Sequence, residues 1–364
     1  MKNKRILFFF AILMTGLLLS ACSGASLQAT SWPGLTVQDD MVYVAYQQQV
    51  FAIQAENGIE RATFPNELER TSDYVFAAPA YVDESNMFLS TYNNRIVNIN
   101  PTTGAENCSF ENSNRFLASA LVTDAGIFAP NADHMLYALD TDCKELWTFE
   151  SDDPLWGTPA SNGNSIYIGS MDHHLYALNA QTGKTIWSTD LGGTTVGTPA
   201  IAEDGTLYIG TFESEAYALD GETGDILWRV PTQGWVWAGP SLSEDDSALY
   251  ITDLDGYLYA VDTTDGTIIW QIEGDGPSPG SPLVLNDSIY FTTGGSDDAG
   301  GTIYAINPDG GIRWSKTMAV EDAQIYTPAV ASGDMILIGI VNTDQLVIAY
   351  DANGNQKWEF TPGN

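Results

Sequence analysis

A tryptophan returns along this chain at nearly fixed intervals: Trp147, Trp187, Trp228, Trp270, Trp314 and Trp358, with gaps of 40, 41, 42, 44 and 44 residues. Each closes the same phrase, clearest in residues 177–187, Ala-Leu-Asn-Ala-Gln-Thr-Gly-Lys-Thr-Ile-Trp. A fixed aromatic at a period near 40 signals one supersecondary unit repeated, and this limits the fold before any site is considered.

The repeat extends beyond the tryptophans. Counted from an opening small-residue/proline pair, eight units follow one another: 32–65, 76–110, 116–150, 156–190, 196–230, 237–272, 279–316 and 325–362. Within a unit, short runs of aromatic and β-branched residues alternate with Gly, Asn, Asp and Thr. This is a strand–turn–strand pattern of four strands. No stretch from residue 23 onward keeps a helical period. Eight such units predict an all-β chain, a single eight-bladed β-propeller of four-stranded antiparallel blades, because radial repetition leaves only short, protected sheet edges. One propeller over 32–364 leaves no length for a second domain.

The first 22 residues read differently. Lys2, Lys4 and Arg5 precede an apolar run over 6–19, too short and one-sided for a spanning helix, so it reads as a secretory leader. It ends Leu19-Ser20-Ala21-Cys22. This order resembles a bacterial lipoprotein signal, which implies cleavage before Cys22 and lipidation of that cysteine. Residues 23–31 then form a small polar tether, and two or more acyl chains would hold the chain stably at a membrane. The expected location is a cell membrane or cell surface, lipid-anchored and extracytoplasmic, periplasmic in a cell with an outer membrane.

The 22 leader residues carry three of the chain's 13 Lys and Arg and none of its 47 Asp and Glu, so the remainder has a net charge of about −37. Nucleic-acid binding needs basic patches that displace counterions, so this balance argues against it. Such acidity suits solubility outside the cell or in a saline setting.

The phrase Ala-x-Asp/Asn-x-x-Thr-Gly-Lys/Asp-x-x-Trp resembles the pyrroloquinoline-quinone (PQQ) repeat of quinoprotein-type propellers. Its best copies are residues 177–187 and 218–228, with 260–270 close behind. The Gly-His and Trp-Asp signatures of WD-type propellers are missing, and a β-solenoid would have shorter repeats. The resemblance implies tryptophan docking, in which the Trp of one blade stacks on the Gly peptide of the next blade's phrase. It implies a structural role for all six tryptophans. Two blades depart from the pattern. Cys108 stands at the Trp position of the second blade, and Cys143 stands in the Thr-Gly turn of the third. The docking geometry implied by the family brings these two positions together, so a Cys108–Cys143 disulfide is expected in an oxidising compartment. In the first blade Ala62 takes the Trp position, which implies a weaker contact.

The name of the repeat does not by itself imply the quinone. Quinoprotein alcohol dehydrogenases have much longer chains, a vicinal Cys-Cys ring and a calcium set, and here no two cysteines are adjacent. No cofactor and no catalytic residue is therefore expected. His134 and His173, each beside an Asp in the second-to-third-strand hairpin of adjacent blades, are the nearest approach to a metal pair. They are too widely set for one ion, and a hairpin tip explains them. Asp253-Leu254-Asp255-Gly256 opens like a calcium loop but lacks the later ligands, so an Asp-Gly hairpin is the simpler reading. The glycine-rich stretch 294–301 lacks P-loop spacing and reads as a surface loop. A second aromatic set, Phe76, Phe116, Trp156 and Trp237 with Trp235 nearby, precedes the first strands and marks either packing between blades or a binding face for a protein, peptide or glycan.

These readings converge on a lipid-anchored, monomeric, non-catalytic scaffold that binds a protein partner. They resemble the propeller lipoproteins of the outer-membrane β-barrel assembly machine. The alternatives are a PQQ-dependent dehydrogenase or other propeller enzyme, and a surface lipoprotein that binds carbohydrate or peptide.

Overall fold

The computed structural model describes residues 32–65, 73–295, 299–320 and 322–363. Cys22, the leader and the tether lie outside the described residues. Each forty-residue unit folds as one antiparallel sheet of four strands. In the fourth unit these are Ala160–Ser161, Ser165–Gly169, His174–Asn179 and Thr185–Asp190, hydrogen-bonded in chain order from the centre outward. All eight sheets among the described residues keep this order, so the fold is the expected eight-bladed propeller.

Burial explains the sequence pattern. The second strand, Ser165–Gly169, is almost wholly buried, whereas the outer strand, Thr185–Asp190, is mostly exposed. Blades stack face to face, so the middle strands are covered on both sides and read as continuous apolar runs. The core is accordingly distributed between neighbouring blades. One cluster, for example, joins Tyr167, Leu175 and Ala177 of the fourth blade to Leu207, Ile209 and Tyr217 of the fifth. A cluster of this kind fills each of the eight interfaces.

The Trp phrase builds the rest of each interface. In the outer strand the register slips by one residue just before the Trp, and a buried alanine of the third strand lies opposite it: Ala138 across from Trp147, Ala177 from Trp187, Ala218 from Trp228. A bulge of this kind bends and twists the edge strand. The indole then reaches the next blade. Its ring lies over the glycine of that blade's Thr-Gly turn, as Trp147 does on Gly183 and Trp187 on Gly224, while Nε1 donates to a carbonyl in the same turn, Ala180 at 3.0 Å and Gly221 at 3.1 Å. Gly183 and Gly224 have φ of 68° and 78°, and a Cβ there would collide with the ring, so both conformation and contact require glycine.

Where the Trp is missing, other chemistry fills the gap. Phe64, two positions along the strand from Ala62 and hence on the same face, covers Gly104. Phe64 thus supplies a ring at the first contact, where Ala62 alone implies a weaker one. At the next interface Cys108 and Cys143 are joined as a disulfide with a Cα–Cα distance of 5.9 Å, and Cys143 takes the positive φ (59°) that a glycine holds elsewhere.

The ring closes without an exchanged strand. The first blade, Gly34–Gln38 to Glu60–Phe64, and the last, Val330–Ser332 to Gln356–Phe360, are each continuous in sequence. Side chains alone make the seam: Trp358 lies over Gly58 and donates to the Ala55 carbonyl at 2.9 Å, across 303 residues of chain.

Trp358 is 8% exposed, whereas Trp187 is half-buried. We expect Trp358→Ala to cost about 3–5 kcal/mol in urea unfolding and Trp187→Ala to cost less. The same titration on the Cys108→Ser/Cys143→Ser double variant should show a loss of about 3–4 kcal/mol, set by the 35-residue separation that the crosslink spans.

Candidate functional site

The loops entering each blade's first strand share one face of the ring with the second-to-third-strand hairpins. Carboxylates in those hairpins tie the two together. Asp253, fully buried, accepts the backbone N–H groups of Gln233 and Gly234 on one oxygen and those of Asp255 and Tyr257 on the other, and the Tyr259 hydroxyl donates to it at 2.8 Å. Gln233 and Gly234 begin the connection that carries Trp235 and Trp237, so Asp253 sets where those indoles stand. Asp172 acts likewise, accepting from Tyr176 at 2.7 Å, from the His174 N–H and from the Asp152 N–H of the preceding connection. Asp133 accepts from Tyr137 at 2.8 Å and from the Asn112 amide. In the fifth blade Tyr217 donates to Glu215 at 2.6 Å.

This clamp shifts the ionisation of its members. Burial first, and then the hydrogen bond to the carboxylate, pushes Tyr137 and Tyr217 up to about 12. Tyr304 is pushed to about 12 by burial and the charge of Asp275. Tyr176 and Tyr259 are raised further by the same causes. Burial opposes ionisation of Asp172, yet the hydrogen bonds from Tyr176, His174, Asp152 and Ser170 hold its carboxyl below the usual range.

The histidines occupy the tips of these hairpins. His134 and His173 have φ of 76° and 77°, the left-handed position that Asn94, Ser214 and Gly256 fill in other blades. The turn accounts for their place. Their neighbours Asp133 and Asp172 are engaged by tyrosines and backbone. Among the described residues no three His, Cys, Asp or Glu side chains gather as a metal site would require. Asp255-Gly256 forms the hairpin turn expected of it, with Gly256 at φ 91°.

At the centre of this face the channel widens into a cavity of about 510 Å³. Trp156, Trp235 and Trp237 line it, together with Trp32 and Tyr326, and Asp255, Glu273 and Asp275 supply its charge. Trp235 and Trp237 both stack on Phe212, with ring centroids 5.4 and 5.3 Å apart and planes within 11° and 18°. The sequence grouping of Phe76 and Phe116 with these residues needs correction. They are 3% and 1% exposed, and their rings are spent on Tyr92 (4.6 Å) and Tyr137 (6.1 Å), so they pack between blades and do not line the cavity. Sequence reasoning also missed Glu273 and Asp275. Their only signal is position, at the end of an outer strand beside the entering loop.

The family model described as outer membrane protein assembly factor BamB matches residues 67–155 and 135–234. Among solved structures, BamB from Moraxella catarrhalis superposes with a TM-score of 0.69 at 17% identity, covering 92% of this chain and 97% of that one. A europium-containing methanol dehydrogenase reaches 0.70 at 12% identity, over 84% of this chain and 81% of its own. These two likenesses concern the fold. In sequence, quinoprotein alcohol dehydrogenase PedH of Pseudomonas putida is 27% identical over 146 residues, 37% of this chain and 24% of that protein. Quinoprotein ethanol dehydrogenase of Pseudomonas aeruginosa is 30% identical over 103 residues, 24% of this chain and 16% of that protein. The matched stretches thus span a quarter or less of the curated relatives' length. The chain is a PQQ-like β-propeller similar to BamB.

The quinone that names the repeat is a tricarboxylate. Among the described residues no Lys, Arg or His lines the cavity, and the charged ones that do are carboxylates. The residues present do not fit that group.

The tyrosine shifts have a consequence at high pH. Tyr137, Tyr217 and Tyr304 hold their protons more tightly folded, at about 12, than the ordinary 10.0 of an unfolded chain. Their contribution is therefore complete below pH 10 and is lost as pH rises through 12. Urea midpoints followed by far-UV circular dichroism should fall steeply over that window. Tyr137→Phe should lower stability at neutral pH yet flatten the alkaline decline.

Proposed function

We propose that this chain is a lipid-anchored, extracytoplasmic propeller that acts as a monomeric, non-catalytic protein-binding or assembly scaffold, held at the membrane through Cys22 and the tether 23–31. The observation that carries this reading is the match of residues 67–155 and 135–234 to the family model of an outer membrane assembly factor. The architecture agrees with it. A rigid ring presents one face whose connections are clamped by buried carboxylates, and half-buried indoles stand at its centre, the kind of anchor that protein interfaces favour. The anchor rests on the order of residues in the leader: basic start, apolar run, small residues, cysteine.

A second reading, a quinone-dependent dehydrogenase, is supported by the two partial matches to quinoprotein alcohol dehydrogenases. The lining of the cavity counts against it, because a tricarboxylate would meet carboxylates with no cation between them.

The test is recovery of the native protein from its membrane after crosslinking. One defined partner should co-purify in stoichiometric amount. It should be lost when Trp235 and Trp237 are both changed to Ala in a variant that still melts cooperatively, and Cys22→Ser should move the chain into the soluble fraction. Stoichiometric binding of added PQQ with calcium, accompanied by dye reduction, would replace the scaffold by the dehydrogenase.

A further inference from the structure

Three features of the channel mouth point to one ligand chemistry. The first is its size: about 510 Å³ is within the range of small-molecule cavities and ample for a side chain or a small metabolite. The second is the aromatic wall. Trp156, Trp235 and Trp237 line it, and the last two are fixed in near-parallel planes by Phe212. The third is charge. Asp255, Glu273 and Asp275 stand on the flank made by the sixth and seventh blades, and among the described residues no Lys, Arg or His lines the cavity. The partners of Asp275 are hydroxyl groups, since Thr293 and Thr302 donate to it at 2.5 Å each, and Glu273 lies across the ladder from Tyr257. A hydroxyl satisfies a carboxylate oxygen without cancelling its charge. Glu273 and Asp275 therefore give the mouth of the cleft a negative field.

These features discriminate among ligands. An anion would be repelled by three carboxylates. A metal ion needs converging oxygen or nitrogen donors, and no three such residues gather among the described ones. An indole face attracts a positive group through its quadrupole, and the attraction is largest for a cation that sheds water easily, as guanidinium and substituted ammonium do.

We propose that the channel mouth is a binding site for an organic cation, an ammonium or guanidinium group seated against the indoles of Trp156 and Trp237, with Glu273 and Asp275 as counter-charges. The group is carried either by a free small amine or by a Lys or Arg side chain of a peptide; the recognition chemistry is the same. The site does not depend on the scaffold reading, because every residue in it belongs to the isolated chain.

Calorimetric titration of the purified full chain at low salt tests this. The probes are N-acetyl-argininamide, its neutral isostere N-acetyl-citrullinamide, tetramethylammonium and a tri-arginine peptide. The cationic probes should bind saturably with one site per chain, and the citrulline derivative should not. Trp237→Leu leaves the net charge unchanged and should weaken binding about tenfold. Glu273→Gln should do the same and keeps a polar side chain of the same size across from Tyr257, so it serves if the Trp237 variant does not fold. Folding of both is checked by circular dichroism. Tighter binding of tri-arginine than of the single residue identifies a peptide side chain as the source, and equal binding identifies a free amine. The proposal is overturned if the citrulline derivative binds equally well, if no cationic probe saturates, or if folded variants bind as the parent does. That last outcome would mean diffuse attraction to an acidic surface.

Discussion

Everything in this ring depends on an indole meeting a glycine. The contact has two parts that cannot be separated. The flat apolar face of the Trp needs a residue without a Cβ beneath it, and its Nε1 needs a carbonyl at the ring's edge. The Thr-Gly turn offers both, since its glycine sits at positive φ beneath the ring and a carbonyl earlier in the turn accepts the Nε1 proton. Each phrase thus serves two interfaces. Its glycine receives the preceding blade and its tryptophan grips the following one. The two exceptions show that the contact is what matters. Phe64 covers Gly104 from two residues further along its strand, and Cys108 with Cys143 replaces packing by a covalent bond. A fold whose units touch only their neighbours has no deeper core to absorb a lost interface, which accounts for a substitute at every gap.

The acidity of the chain resolves into distinct uses when carboxylates are followed one at a time. Asp253 and Asp255 are two residues apart. The first is fully buried and saturated with donors, and it fixes a connection between blades; the second lines the cavity. Asp172 is engaged like Asp253, and its low proton affinity follows from the donors around it. Charge in this protein is therefore in part structural, holding loops through backbone N–H groups, and in part gathered along the lining of the cavity.

The fold was legible because its signal is periodic. The spacing of Trp147 to Trp358 and the strand-like runs between them need no tertiary information. The disulfide was legible for a related reason: a repeat states what should occupy each position, so Cys108 and Cys143 were visible as departures from it. The site was less legible. The spacing that picked out Trp156 and Trp237 also picked out Phe76 and Phe116, because position in a repeat does not reveal how far a ring extends or what already occupies the space beside it. Asp133 and Asp172 drew notice only beside histidines, although their work is with Tyr137 and Tyr176, four residues on. Glu273 and Asp275 carried no pattern. They gather with Asp255 because the sixth blade's outer strand ends opposite Tyr257, two residues beyond Asp255.

Trp32 lines the cavity, and it lies just ahead of Gly34–Gln38, the innermost strand of the first blade. The chain therefore enters the propeller at the mouth of the channel and finishes on an outermost strand at the rim. A tether over 23–31 extends at most about 30 Å. With the anchor proposed at Cys22, that length sets a ceiling on the gap between the bilayer and the mouth. With that anchor, the cavity mouth where Trp32 stands would lie within reach of the membrane surface.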